Sequence, residues 1–133
     1  MEKIFVDTSA LLCLANTADP FSDQAWILWN EFIKRGDRLF TNNYVIVEAF
    51  ALIQHRHGME IVRRFESSLM PFLEVFWIGK DHHRIIVDSF LLANRRQLSL
   101  VDCSGFETMR QLGIKQVFTL DEHFREQGFT VIP

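Results

Sequence analysis

At 133 residues the chain fits one domain, residues 1–133, and leaves no length for a second. Hydrophobic residues make up 48% and thirteen residues are Phe, which excludes a disordered chain and permits a core needing neither disulfide nor structural metal. A formal net charge of -3 argues against indiscriminate polyanion binding while leaving room for a local basic patch. Cys13 and Cys103 have no metal-binding spacing and read as structural thiols of a reducing, cytoplasmic protein. No apolar run approaches the ~18 residues of a membrane span, and the run before Asp7 is too short for a signal peptide.

In chain order, Ile4-Phe5-Val6 shows no polar alternation and reads as a strand buried on both faces of a parallel sheet. It ends on Asp7-Thr8-Ser9, and Ser9 is the expected N-cap of an apolar helix over Ala10 to Ala15. Asn16 to Pro20 breaks that helix. The next is expected over Ser22 to Lys34, with Ala25, Leu28, Trp29, Phe32 and Ile33 inward and Trp26 off the stripe. After a turn at Arg35-Gly36-Asp37, Leu39-Phe40-Thr41 is a brief strand and Asn42-Asn43 a cap for a helix over Tyr44 to Arg56. That helix carries Glu48 within an apolar run, where an unpaired carboxylate is expensive.

Met59 to Leu69 is a second amphipathic helix, with Ile61, Val62, Phe65 and Leu69 inward, and Pro71 ends it. Glu74 to Ile78 reads as a strand. Asp81 is the expected cap of a helix to Arg95, with Ile85, Ile86, Ser89 or Phe90, and Ala93 near one face. Leu98 to Asp102 leads into a helix that runs through Leu112 and stops at Gly113. Gln116 to Thr119 and Phe129 to Ile132 complete the strands. Strands alternating with helices throughout predict an α/β domain with a mainly parallel sheet.

Asp7, Asp102 and Asp121 each fall at a strand end or helix entrance, and Glu48 lies early in a helix that follows a strand. In a parallel sheet these junctions share one edge, where ligands collect. Four clustered carboxylates repel one another, and a hard divalent ion relieves the conflict while leaving positions for phosphate oxygens. Each acid also has a plainer reading: Asp7 or Asp102 as a helix cap, Asp121 as a turn residue, Glu48 at a wet helix edge or beside Arg56. The five histidines lack zinc spacing and read as solvated surface, although His123 stands close to Asp121. A phosphoaspartyl role for Asp7 would want a second Asp two positions on, where this chain has Ser9.

Phe5-Val6-Asp7-Thr8-Ser9, Glu48, Leu100-Val101-Asp102-Cys103-Ser104 and Thr119-Leu120-Asp121-Glu122-His123-Phe124, in that order, resemble the PIN-domain ribonucleases, most of all the VapC-type toxins and their relatives. The resemblance implies a three-layer α/β/α sandwich and Mg²⁺- or Mn²⁺-dependent endonuclease activity on RNA, giving 5′-phosphate and 3′-hydroxyl ends. It assigns Asp7, Glu48, Asp102 and Asp121 as catalytic metal ligands, with Thr8, Ser9 and Ser104 orienting a ligand or water. It further implies an antitoxin partner and a homodimer, for which Trp26, Trp29, Phe72 and Trp77 are candidate contacts, Trp29 and Trp77 being the better core candidates. Arg56, Arg63, Arg64, Arg95 and Arg96 are candidate phosphate contacts. A non-catalytic binding module and a housekeeping RNA-processing nuclease stay open as alternatives. Gly105, inside a predicted helix, suggests a close backbone approach.

Overall fold

The structure, a computed structural model, describes residues 1–133. The buried run Lys3–Val6 forms β1, and its three apolar residues are wholly inaccessible to solvent. It is followed by α1 (Thr8–Ala15), α2 (Ser22–Arg35), β2 (Arg38–Asn42), α3 (Asn43–His57) and α4 (Met59–Ser68). One 3₁₀ turn at Met70–Phe72 leads to β3 (Leu73–Phe76), α5 (Lys80–Ala93), α6 (Leu100–Leu112), β4 (Gln116–Phe118), α7 (His123–Glu126) and β5 (Thr130–Ile132). All five strands are parallel, in the order β3-β2-β1-β4-β5, with helices packed over the sheet as the alternating pattern predicts. No helix is long and apolar enough to cross a membrane.

The strand order decides where a ligand can go. From β1 the chain steps outward to β2 and β3, then crosses back to β4 on the other side of β1 and continues to β5. The reversal opens a crevice between the carboxyl ends of β1 and β4. Asp7 follows β1 directly, and Thr119 follows β4 directly. Their backbones are already joined there, since Asp7 N donates to Phe118 O at 3.1 Å.

The core beneath the crevice is aromatic. Trp29, Phe5, Phe32, Phe118 and Phe124 are its largest fully buried side chains, each stabilising the fold by roughly 1.5–3 kcal/mol through burial. Phe124 meets Phe106 edge-on at 4.9 Å between centroids and Phe5 at 6.3 Å. Gly105 explains how these rings fit against α6. A Cβ there would stand 3.0 Å from Phe124 Cζ and 3.2 Å from Phe5 Cε2, so the helix backbone itself is the packing surface.

Four local expectations are corrected. Ser9 does not cap α1: extended Asp7 occupies the N-cap position without a side-chain cap bond, and Ser9 lies one turn-step inside the helix. Asp81 does not cap α5, because the backbone turns at Gly79 and places Asp81 in the first helical turn. Of the apolar face expected for α5, only Ile86 is buried, since the helix packs along a narrow line and leaves Ile85, Leu91 and Leu92 in solvent. Trp77 is 72% exposed rather than core. Strand β3 is the sheet edge and ends at Phe76, so Trp77 emerges beyond it, while Asn43 clamps the backbone of the inward-turning Ile78. Trp29, by contrast, is only 1% exposed. Trp26 is half-buried and donates Nε1–H to Leu14 O.

Candidate active site

Asp7 is the fixed point of the crevice. Its Oδ2 accepts from Thr119 Oγ1 at 2.8 Å and from Ser9 Oγ at 3.1 Å. The two hydroxyls lie 3.0 Å apart, and Ser9 Oγ also accepts from Leu120 N at 2.9 Å. Thr119 Oγ1 further accepts from Asp121 N at 3.0 Å, so one hydroxyl ties the carboxylate after β1 to the backbone carrying the acid after β4. Thr119 had no assigned role in the sequence. Its signal was a hydroxyl at a strand terminus two residues before an acid, a spacing that allows a side-chain turn around the backbone N–H.

Burial pushes the Asp7 carboxyl up to about 6, the neighbouring Asp102 charge adds to the rise, and the hydrogen bonds from Thr119 and Ser9 oppose it. Next to it, Thr8 keeps its hydroxyl buried without a hydrogen-bond partner. Burial also raises both thiols, Cys13 to about 11, in keeping with inert structural cysteines.

Asp102 is presented by the first turn of α6. Ser99 is the N-cap: its hydroxyl accepts from Asp102 N at 2.9 Å, and Asp102 Oδ2 accepts from Ser99 N at 3.0 Å. This reciprocal capping box fixes the Asp102 side chain at the helix entrance. Asp121 Oδ1 in turn accepts from His123 N at 2.9 Å. Ligand atoms of Asp102, Asp121 and His123 all lie within 4.8 Å of one another. His123 is therefore not the solvated side chain the sequence suggested. Its side chain is only 19% exposed, because the adjoining Phe124 is anchored in the core and draws the start of α7 into the crevice.

Glu48 stands apart from this triplet. It lines an open groove of about 520 Å³ together with Tyr44, Val47, Leu100 and Val101, one residue before Asp102. Tyr44 O–H and His83 Nδ1 meet at the rim of the same groove. Ser104 is fully buried; it donates to Val101 O at 2.6 Å and accepts from Asn42 Nδ2 at 3.2 Å. These bonds lock α6, two residues after Asp102, to the end of β2. Arg95 pairs with Glu126 at 3.0 Å, beside α7, and Arg96 lies next to it on the exposed loop before α6. Arg64 pairs with Glu60 along α4. Arg56, eight residues past Glu48 on α3, is about 12 Å further along the helix axis, away from the acids. Arg63 projects into solvent on α4.

The electrostatics follow from what is missing around the acids. No lysine or arginine forms an ion pair with Asp7, Glu48, Asp102 or Asp121, and only His123 approaches Asp102 and Asp121. Oxygen donors at a crevice, without a compensating side-chain cation, suit a hard divalent ion. The residues present fit a metal.

The family model described as PIN domain matches residues 4–129. The chain belongs to the PIN-domain family. This PIN domain is 28% identical over 130 residues to the 23S rRNA-specific endonuclease VapC20 of two Mycobacterium tuberculosis strains, covering 97% of both chains. It is 22% identical over 127 residues to the VapC ribonuclease of Aquifex aeolicus, covering 96% of this chain and 93% of that one. Among solved structures it superposes on Mycobacterium tuberculosis VapC20, described as a sarcin-ricin loop cleaving toxin, with a TM-score of 0.84 at 26% identity over 96% of each chain. FitAcB from Neisseria gonorrhoeae shares the fold of the PIN domain, with a TM-score of 0.70 at 13% identity over 98% of this chain and 96% of that one.

Proposed function

We propose that this PIN domain is a divalent-metal-dependent endoribonuclease that hydrolyses RNA phosphodiesters as the toxin of a toxin–antitoxin pair. The observation carrying this reading is the set of acids without a lysine or arginine counter-charge at the crevice between β1 and β4, in a chain whose VapC relatives align over nearly its whole length.

Asp7, Asp102 and Asp121 hold the ion, which is Mg²⁺ or Mn²⁺, and Glu48 acts from the groove wall. A bound ion supplies Lewis-acid charge at the scissile phosphate and lowers the pKa of water. The chain's own residues prepare that chemistry. Thr119 and Ser9 fix the rotamer of Asp7 through Oδ2, and the Ser99 capping box fixes Asp102. Holding these carboxylates still in advance lowers the reorganisation needed when phosphate arrives. Arg95 and Arg96, on the side of α7, are the better-placed of the candidate arginines for RNA phosphates.

The protein acts as a homodimer in the cytoplasm and is silenced by an antitoxin that covers the crevice. The printed target of the VapC20 relative makes 23S rRNA the first substrate to test. Induced expression followed by sequencing of RNA 5′ ends is the test. Discrete new 5′ ends should appear with the wild type and disappear with Asp7→Asn. If both proteins leave the same ends, or if neither leaves any, the nuclease reading fails and a binding module takes its place.

A further inference from the structure

The side chain that least fits an all-oxygen magnesium site is His123. Its Nδ1 is buried and makes no hydrogen bond, although it lies 3.2 Å from Asp121 Oδ1 and 3.5 Å from Asp102 Oδ2. A buried ring nitrogen this close to two carboxylate oxygens, yet misaligned for donation to either, lacks the partner that buried polar atoms require. The spacing itself suggests that partner. Two ligands bound about 2.1 Å from one ion at right angles stand about 3 Å apart, which matches the separation of Nδ1 from Asp121 Oδ1.

The imidazole is also held in place from several directions. Its own backbone N–H is tied to Asp121 Oδ1, Phe124 anchors the helix beneath it, and the Glu126–Arg95 pair holds the far end of α7. A side chain free to wander would not maintain such a position, and a surface histidine would not be so enclosed.

We propose that His123 coordinates the metal directly through Nδ1, alongside Asp102 and Asp121, and that this nitrogen makes the site select Mn²⁺ over Mg²⁺. The proposal rests on the metal-site reading above and adds a ligand and a selectivity to it. Magnesium favours oxygen donors and gains little from imidazole, whereas first-row transition ions gain affinity from a nitrogen ligand.

Binding of the metal alone provides the test, without turnover. Mn²⁺ is titrated into the full chain, purified metal-free, and the bound ion is examined by pulsed electron paramagnetic resonance, with Mg²⁺ as competitor. The wild type should show an imidazole-nitrogen coupling to bound Mn²⁺, and His83→Gln, at the rim of the Glu48 groove and outside the Asp102–Asp121–His123 cluster, should retain it. His123→Gln should lose the coupling and weaken Mn²⁺ binding by at least about tenfold, the lower end of what even an outer-shell partner contributes. Its Mg²⁺ affinity should fall less. His123→Asp should bind both ions without the coupling and shift the preference toward Mg²⁺, which guards against a variant that simply fails to fold. Mn²⁺ bound to the wild type without nitrogen coupling, or a coupling that survives in His123→Gln, would overturn the proposal and leave the metal site standing. A wild type that binds no Mn²⁺ would overturn both.

Discussion

Replacing Asp7 with Asn should make the metal-free protein more stable while abolishing RNA cleavage. The ordinary value for this carboxyl is 3.8, and burial lifts it to about 6 in the fold. At about 1.4 kcal/mol per pH unit of displacement, holding Asp7 ionised at neutral pH costs the fold about 3 kcal/mol. Asn carries no charge, and its oxygen still accepts from Thr119 and Ser9, though more weakly than a carboxylate does. The net gain should therefore be about 1–3 kcal/mol, or a melting temperature roughly 4–10 °C higher for a chain of this length.

The pH dependence has a definite sign. Because the folded state holds the Asp7 proton more tightly than the unfolded chain, wild-type stability falls as pH rises from about 4 to about 6 and then levels off. The variant lacks that slope, so its advantage should be small at pH 4 and full at pH 7. Calorimetry in chelator at several pH values measures both curves. Added Mn²⁺ should then stabilise the wild type by about 3 kcal/mol at a hundredfold excess over its dissociation constant, and should do little for the variant. A variant no more stable than wild type at pH 7 in chelator would show that Asp7 is not a buried, destabilised carboxylate.

Thr119→Val removes a donor to Asp7 and an acceptor for Asp121 N, so stability should fall by about 1–3 kcal/mol and metal affinity with it. Thr119→Ser should recover most of both, as urea titration and metal binding would reveal. Gly105→Ala places a methyl against Phe5 and Phe124, and the Phe124 ring is itself packed against Phe106 and Phe129. Overpacking should outweigh the improved helix propensity and cost about 1 kcal/mol in denaturant unfolding; an increase in stability would contradict the packing account. Ser99→Ala should lose about 1 kcal/mol of capping while leaving metal affinity nearly unchanged, because the backbone N–H at position 99 still holds Asp102.

Some of this was legible in the residues. Ile4-Phe5-Val6 could hardly be anything but a doubly buried strand, and a carboxylate at its end marks a sheet edge in any parallel α/β domain. Glu48 announced itself as an acid within an apolar helix, yet helical spacing could not reveal that it lines a groove beside Val101 rather than joining the triplet. His123 and Trp77 were misjudged for the same physical reason. Exposure there depends on what stands opposite in the sheet and crevice, and local hydropathy contains none of that. His123 follows an acid in a polar stretch and looks solvated until Phe124 is seen to pull it in; Trp77 follows apolar residues and looks buried until β3 proves to be the edge. Ser9 shows the finer limit, since a helix beginning two residues earlier turns a capping hydroxyl into a brace for Asp7.

The hydroxyl bridge between Thr119 and Asp7 spans 112 positions of sequence. During synthesis, Asp7 leaves the ribosome long before the segment that orients it, and β1 lacks its second neighbour until residues 116–118 arrive. Neither the brace on Asp7 nor the approach of Asp121 and His123 can exist on a shorter nascent chain. The crevice around Asp7 is therefore among the last parts of the fold to close, because its far wall is supplied by the chain's final quarter.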